Sequence, residues 1–212
     1  YMSTIKKFTS FTTSNCYVVV PNDKEDVCFV VDLPPDVEPA LEYIKSNNLS
    51  VGGYLLTHGH YDHALGVPKV DGNIYINMED EFLARNPQEQ LSQFTNSELH
   101  IEEYKGPLCD IDTFNNNIVK VHRNPGHTKG SVSYEFKDLG VVFTGDFVFA
   151  EGIGRTDLFS GSNIEMKDSI NRVFLSFDKK MDVLPGHGDS DTVSNILNYN
   201  DYLKEFIDDW WC

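Results

Sequence analysis

Tyr54-Leu55-Leu56-Thr57-His58-Gly59-His60-Tyr61-Asp62-His63 is a short apolar run that stops in a cluster of metal-binding side chains. Leu55 and Leu56 have the character of a buried strand end, and Gly59 permits the tight turn that makes neighbouring imidazoles and a carboxylate converge. Three histidines and one aspartate between positions 58 and 63 are too many polar groups for a core strand. Imidazole is the commonest metal ligand and Asp62 adds a hard oxygen donor, so a divalent cation is the simplest account of this density. Four ligands exceed the three that one open catalytic site uses, which points to a second cation. The bland alternative is a solvated loop that happens to hold histidines.

Three further candidates weigh against that alternative. Each closes an apolar run: Asn124-Pro125-Gly126-His127-Thr128, Phe143-Thr144-Gly145-Asp146 and Leu184-Pro185-Gly186-His187-Gly188. In this order the motifs resemble the metallo-β-lactamase superfamily, whose signature is an HxHxDH loop followed by a His, a bridging Asp and a last His. The resemblance runs from about Asn15 to about Asp189 and fills all seven ligand positions. It implies that His58, His60 and His127 hold a first metal, that Asp62, His63 and His187 hold a second, and that Asp146 bridges them. Class B β-lactamases generally lack a His at the position of His63, and several place a Cys where Asp146 stands. The resemblance is therefore to the glyoxalase II-like hydrolases. It implies an α/β fold, an αββα sandwich of two mixed sheets with helices on both outer faces and the ligands on loops at one edge.

Composition is consistent with this. A chain of 212 residues, 40% hydrophobic and 12% aromatic, is expected to form one domain, 1–212, with a substantial core. The net charge of -16 repels nucleic acid and anionic membrane surfaces, so neither is expected as a partner. Bound cations would still make the site locally positive and able to draw in an anionic small molecule. No stretch reaches the roughly 18 apolar residues of a membrane span, and no signal-peptide core is present at the start. The cysteines, Cys16, Cys28, Cys109 and Cys212, have no CxxC spacing and are read as reduced thiols, which together suggest a cytoplasmic protein. Tyr1 precedes Met2 and is read as the remnant of a tag.

Taken in order, Cys16–Val20 and Val27–Asp32 are expected as a hairpin across the turn at 21–24, and 36–47 as an amphipathic helix through Val37, Leu41 and Ile44. A short helix is expected over 64–67, a strand over 73–76 and a helix over 79–86. Residues 87–117 are the least patterned part of the chain, and long stretches of this kind are usually covers over a site or plain surface excursions. The former is the expectation here. His100 and His122 are expected to be ordinary histidines, since the ligand set is complete without them. Strands follow at 131–136, 140–144 and 181–184, with a helix over 164–177 whose apolar face is Ile164, Ile170, Val173, Phe174 and Phe177, and a terminal helix over 191–211 whose stripe is Ile196, Tyr199, Leu203 and Phe206.

Two divalent ions, zinc by affinity order with iron or manganese also acceptable to these ligands, would share a bridging hydroxide as nucleophile, oriented by Asp62. A thiolate leaves readily and binds such metals well, so a thioester suits the arrangement better than an amide. Gly152-Ile153-Gly154-Arg155-Thr156-Asp157 follows Asp146 closely. Glyoxalase II-like proteins have a basic residue at the Arg155 position that can hold a substrate carboxylate in bidentate fashion; a brace to a neighbouring Asp is the structural alternative. Asp157 stands where glutathione-specific members have Tyr, and only a short segment follows His187 where glyoxalase II proper continues with a glutathione-binding helical domain. The expectation is a compact metal-dependent hydrolase of a small-molecule thioester. Lactone or other ester hydrolysis is a near alternative. A persulfide dioxygenase with one iron at the positions of His58, His127 and Asp146 is a more distant one.

Overall fold

The strands Asn15–Val20 and Val27–Val31 show no polar–apolar alternation because both of their faces are buried. The structure is a computed structural model that describes residues 4–21, 26–94 and 100–208. Its contacts divide the chain into two units, Tyr1–Asn115 and Asn116–Cys212.

In the first unit, β1 (Thr4–Thr9), β2 (Asn15–Val20), β3 (Val27–Val31), β4 (Ser50–Leu55), β5 (Ile74–Ile76) and β6 (Cys109–Asp110) form a sheet in sequence order. β1, β2 and β3 pair antiparallel, as the expected hairpin requires, and β3 to β6 pair parallel. The α-helices among the described residues of this unit are α1 (Glu38–Ser46), α2 (Tyr61–Ala64), α3 (Glu81–Arg85) and α4 (Pro87–Phe94). Cys16, Val18, Cys28, Val30, Tyr54 and Ile74 project from one face of the sheet into a core with Val37, Ala40 and Ile44 of the α1 segment. The opposite row, Tyr17, Val19, Phe29, Val31 and Leu55, is buried as well. Each such side chain contributes roughly 1.5–3 kcal/mol, so this layer carries the polar loop that follows β4.

In the second unit, β7 (Lys120–Arg123), β8 (Val132–Phe136), β9 (Val141–Gly145), β10 (Asp182–Pro185) and β11 (Asp191–Thr192) form a mixed sheet of order β11-β10-β9-β8-β7. Only β9 and β10 are parallel. Helices α5 (Asn163–Arg172), α6 (Val193–Tyr199) and α7 (Asp201–Lys204) complete it. Val142 and Val183 meet Met166, Ile170, Phe174, Ile196 and Leu203 in its core.

Several expectations shift. The short helix begins at Tyr61, not at Ala64, so Asp62 and His63 are themselves helical. Residues 87–117 are not patternless, since they include α4, β6 and a 3-10 turn at Ile111–Thr113. Ile164 was expected on the buried face of its helix; it is 84% exposed, and Met166 takes the buried place. The reason is position, because Ile164 lies in the first turn, where Ser162 caps the helix by accepting a hydrogen bond from the Glu165 amide. The terminal helix is broken at Asn200, whose buried side chain caps α7 at Leu203 N–H and donates to the carbonyls of Phe149 and Gly152. Tyr199, expected in the apolar stripe, is consequently exposed. The expected turn at 21–24, Tyr1 and the end of the terminal helix lie wholly or partly outside the described residues. No helix among the described residues is long and apolar enough to cross a membrane.

Candidate metal centre

Strand register decides where the predicted ligands emerge. In the first unit β3 and β4 are parallel with Val31 opposite Leu55, so Asp32 and Thr57 leave the sheet side by side. Thr57 N–H donates to Asp32 Oδ1 at 2.7 Å, and the Thr57 hydroxyl lies 2.8 Å from Oδ2. The loop then turns at Gly59 into α2. A Cβ on Gly59 would stand 2.6 Å from the Asp80 carbonyl and 2.7 Å from Leu83 Cβ, so the loop lies on the start of α3 as only glycine permits.

This folding gathers the four candidates of the loop. The rings of His58 and His60 are 4.9 Å apart between centroids, those of His58 and His63 are 4.4 Å apart, and His63 Nε2 lies 3.5 Å from Asp62 Oδ2. His63 Nδ1 is 2.9 Å from Asp32 Oδ2, a pure acceptor, so in the neutral ring Nδ1 carries the proton and Nε2 keeps its lone pair. Thr57 gives its one hydroxyl proton to Asp32 and therefore accepts from His58 Nδ1 at 3.0 Å. One buried carboxylate thus sets the tautomer of two histidines. Asp32 does so in the left-handed region, at φ 63°, a conformation that costs free energy in a non-glycine residue.

In the second unit the three candidates come from separate connections. β8 runs antiparallel to β9, so the segment before β8, with His127, lies at the end of β9 where Asp146 follows Gly145. β10 runs parallel to β9 with Pro185 opposite Gly145, so His187 emerges at the same edge. His127 Nε2 and His187 Nε2 each lie 3.5 Å from Asp146 Oδ2. His127 Nδ1 donates to the carbonyl of Arg155 at 2.7 Å, which again leaves the lone pair on Nε2. Gly154 makes this approach possible, because a Cβ there would stand 1.7 Å from the Asp146 carbonyl.

Two of these 3.5 Å pairs, His63 with Asp62 and His127 with Asp146, set a nitrogen lone pair against a carboxylate oxygen. Such pairs repel unless a cation lies between them. With metal–nitrogen and metal–oxygen bonds near 2.0–2.1 Å and a tetrahedral angle, two ligands of one ion stand about 3.4 Å apart. The donor set therefore fits divalent ions, and the outer hydrogen bonds from Nδ1 are those that orient metal-binding histidines.

Arg155 is half-exposed, and its Nε and Nη2 donate to the two Asp157 oxygens at 2.7 Å each. This fork holds the Asp157 carboxyl down at about 2. His122 pairs with Glu135 at 2.6 Å, and His100 is exposed. Among the residues that brace the loop, Ser14, Asp32, Asp80 and Gln90 are not singled out by the sequence. Asp32 carries the signal that singled out Asp146, a carboxylate closing an apolar run. Asp80 and Gln90 carry none, since each is an ordinary helix-region polar residue in sequence.

A family model described as Metallo-beta-lactamase superfamily matches residues 9–187. The probable metallo-hydrolase YqgX of Bacillus subtilis (strain 168) is 31% identical over 204 residues, 91% of this chain and 93% of its own. Hydroxyacylglutathione hydrolase GloC of Haemophilus influenzae (strain ATCC 51907 / DSM 11121 / KW20 / Rd) is 28% identical, over 90% of this chain and 92% of its own. Among solved structures, that of BLEG-1 B3 metallo-beta-lactamase superposes with a TM-score of 0.81 at 26% identity, covering 94% of this chain and 99% of that one.

Proposed function

The chain belongs to the metallo-β-lactamase superfamily and is a metal-dependent hydrolase of that fold, and from this premise we propose that it is a dinuclear, zinc-dependent thioesterase of the glyoxalase II-like kind. The observation that carries the metal reading is the lone-pair-to-carboxylate contact at 3.5 Å, found in each unit. By the ligand order of that family, His58, His60 and His127 would hold one ion and Asp62, His63 and His187 the other, with Asp146 shared. Bound divalent ions supply an acidified water at neutral pH and Lewis-acid polarisation of a carbonyl.

The chain's own residues do the rest. His58 and His63 are buried, and Asp32 fixes their tautomers through Thr57 and directly, so their donor nitrogens need no reorientation. Asp62 is the carboxylate of the loop and is partly accessible, and it would orient the attacking water. The Arg155 guanidinium is the cationic group offered to an acidic substrate, in exchange with Asp157. The thioester class is supported by the name of the Haemophilus relative and by the readiness with which a thiolate leaves.

The test is a substrate panel of an acidic thioester, a neutral thioester, an acyl-homoserine lactone, an aryl ester and a β-lactam, run on the wild type and on Arg155→Ala. Thioesters should be turned over with the highest kcat/KM. Arg155→Ala should raise KM for the acidic thioester by a factor equivalent to roughly 1.5–3 kcal/mol and leave the neutral one almost untouched. Preference for the lactone or β-lactam would overturn the thioesterase assignment. Equal losses on both thioesters would make Arg155 a brace. One iron per chain with persulfide-dependent oxygen uptake would replace hydrolysis by oxygenation.

A further inference from the structure

The side chain of Gln90 is buried in the first unit, on a helix that no ligand motif includes. A buried amide costs free energy unless its donors and acceptor are bonded. Gln90 spends them on two backbone segments: Oε1 accepts from Tyr61 N–H at 2.9 Å, and Nε2 lies 2.6 Å from the Leu83 carbonyl and 3.4 Å from the Gly59 carbonyl. Beside it, fully buried Asp80 accepts the Gly59 N–H on Oδ2 at 2.9 Å.

The groups held in this way are informative. The Gly59 carbonyl belongs to the peptide before His60, and the Tyr61 N–H belongs to the peptide after it. Fixing both planes fixes the direction of the His60 Cα–Cβ bond. His58 and His63 are oriented through ring nitrogens by Thr57 and Asp32, whereas this hold acts on the backbone around His60. We propose that Gln90, with Asp80, is a positioning residue for His60, tying the metal loop to α3 and α4 so that the imidazole enters its ion's coordination in one orientation. The inference rests on the metal reading above and deepens it. A Leu at this position would bury more favourably but would give up the three hydrogen bonds that Gln90 makes to the Gly59, Tyr61 and Leu83 backbone.

Zinc affinity of the metal-free chain, measured by competition with a chromophoric chelator, tests this on Gln90→Met and Gln90→Glu alongside metal-free melting. Gln90→Met keeps the volume and loses every hydrogen bond. It should weaken one of two zinc sites about 10- to 100-fold, the range for groups that orient metal ligands, while the other site holds. Its metal-free melting should change little. Gln90→Glu, in its neutral acid form, keeps an acceptor for Tyr61 N–H and a donor for the Leu83 carbonyl, and should recover part of the loss. If Gln90→Met fails to fold, the Glu variant and hydrogen exchange of the Tyr61 amide in the metal-free wild type decide: protection of that amide supports the clamp, and free exchange overturns it. Two zinc ions in the wild type with unchanged affinities in Gln90→Met overturn this inference alone. A wild type that takes up no zinc removes the metal reading as well. Lower melting with unchanged zinc affinity makes Gln90 a structural residue only.

Discussion

The first unit puts four candidate ligands on six consecutive residues, while the second spreads three over sixty-one. The crowded loop has no sheet ladder of its own, so it is held by side chains from elsewhere in the unit: Asp32 on Thr57 and His63, Asp80 and Gln90 on Gly59 and Tyr61, and the Ser14 hydroxyl on the Asp62 carbonyl at 2.6 Å. The dispersed ligands need fewer such braces. β8, β9 and β10 deliver His127, Asp146 and His187 to one sheet edge by register, and the demands fall on glycines that let backbones approach. Density along the chain is thus obtained with buried polar side chains, and dispersion with strand order and close packing.

Breaking a brace should therefore cost the first unit most. Asp32→Ala leaves Thr57 N–H, the Thr57 hydroxyl and His63 Nδ1 without their acceptor, at a cost of about 3–5 kcal/mol in urea unfolding of the metal-free chain. A loss under about 1 kcal/mol would mean that the loop is not held through Asp32. In the second unit the matching lesion is steric. Gly154→Ala sets a methyl against the Asp146 carbonyl and should cost about 1–3 kcal/mol while displacing Asp146, read as a loss of zinc content with the sheet intact by circular dichroism. Unchanged zinc content would show that the approach of this segment does not position the aspartate.

The smallest effect sharpens the role of Arg155. The fork from Arg155 holds the Asp157 carboxyl at about 2, below the usual carboxylate range. A folded pKa that is depressed contributes stability above the ordinary value near 3.9, and that contribution is lost as pH falls toward 2. Both partners are exposed, so the effect on unfolding is slight, and carboxyl NMR is the suitable reading. Asp157 should titrate near 2 in the wild type and near 3.9 in Arg155→Ala. An ordinary value in the wild type would mean that the pair is open in solution and the guanidinium is already available to a substrate.

The ligand candidates could be read in the sequence because each closes an apolar run, and such runs are local. Most strands could be read for the same reason, within one or two residues. What escaped depends on contacts between distant segments. Asn200 ends the terminal helix because carbonyls some fifty residues earlier, of Phe149 and Gly152, accept from its amide, which a helical stripe cannot reveal. Ile164 fits the apolar spacing but stands in a capped first turn. Gln90 and Asp80 look like surface residues until α3 and α4 are laid against the loop. The residues that brace the candidate ligands are harder to see in the sequence than the candidates themselves.

The central claim is that the two ligand groups serve a pair of ions with Asp146 shared between them. Elemental analysis of the wild type and of Asp146→Ala, purified without added metal and then equilibrated with zinc, tests it most directly when joined to thioester turnover. The account predicts two zinc ions per chain in the wild type, and in Asp146→Ala a loss of zinc together with the collapse of turnover. Full zinc occupancy and wild-type thioester hydrolysis in Asp146→Ala would contradict it.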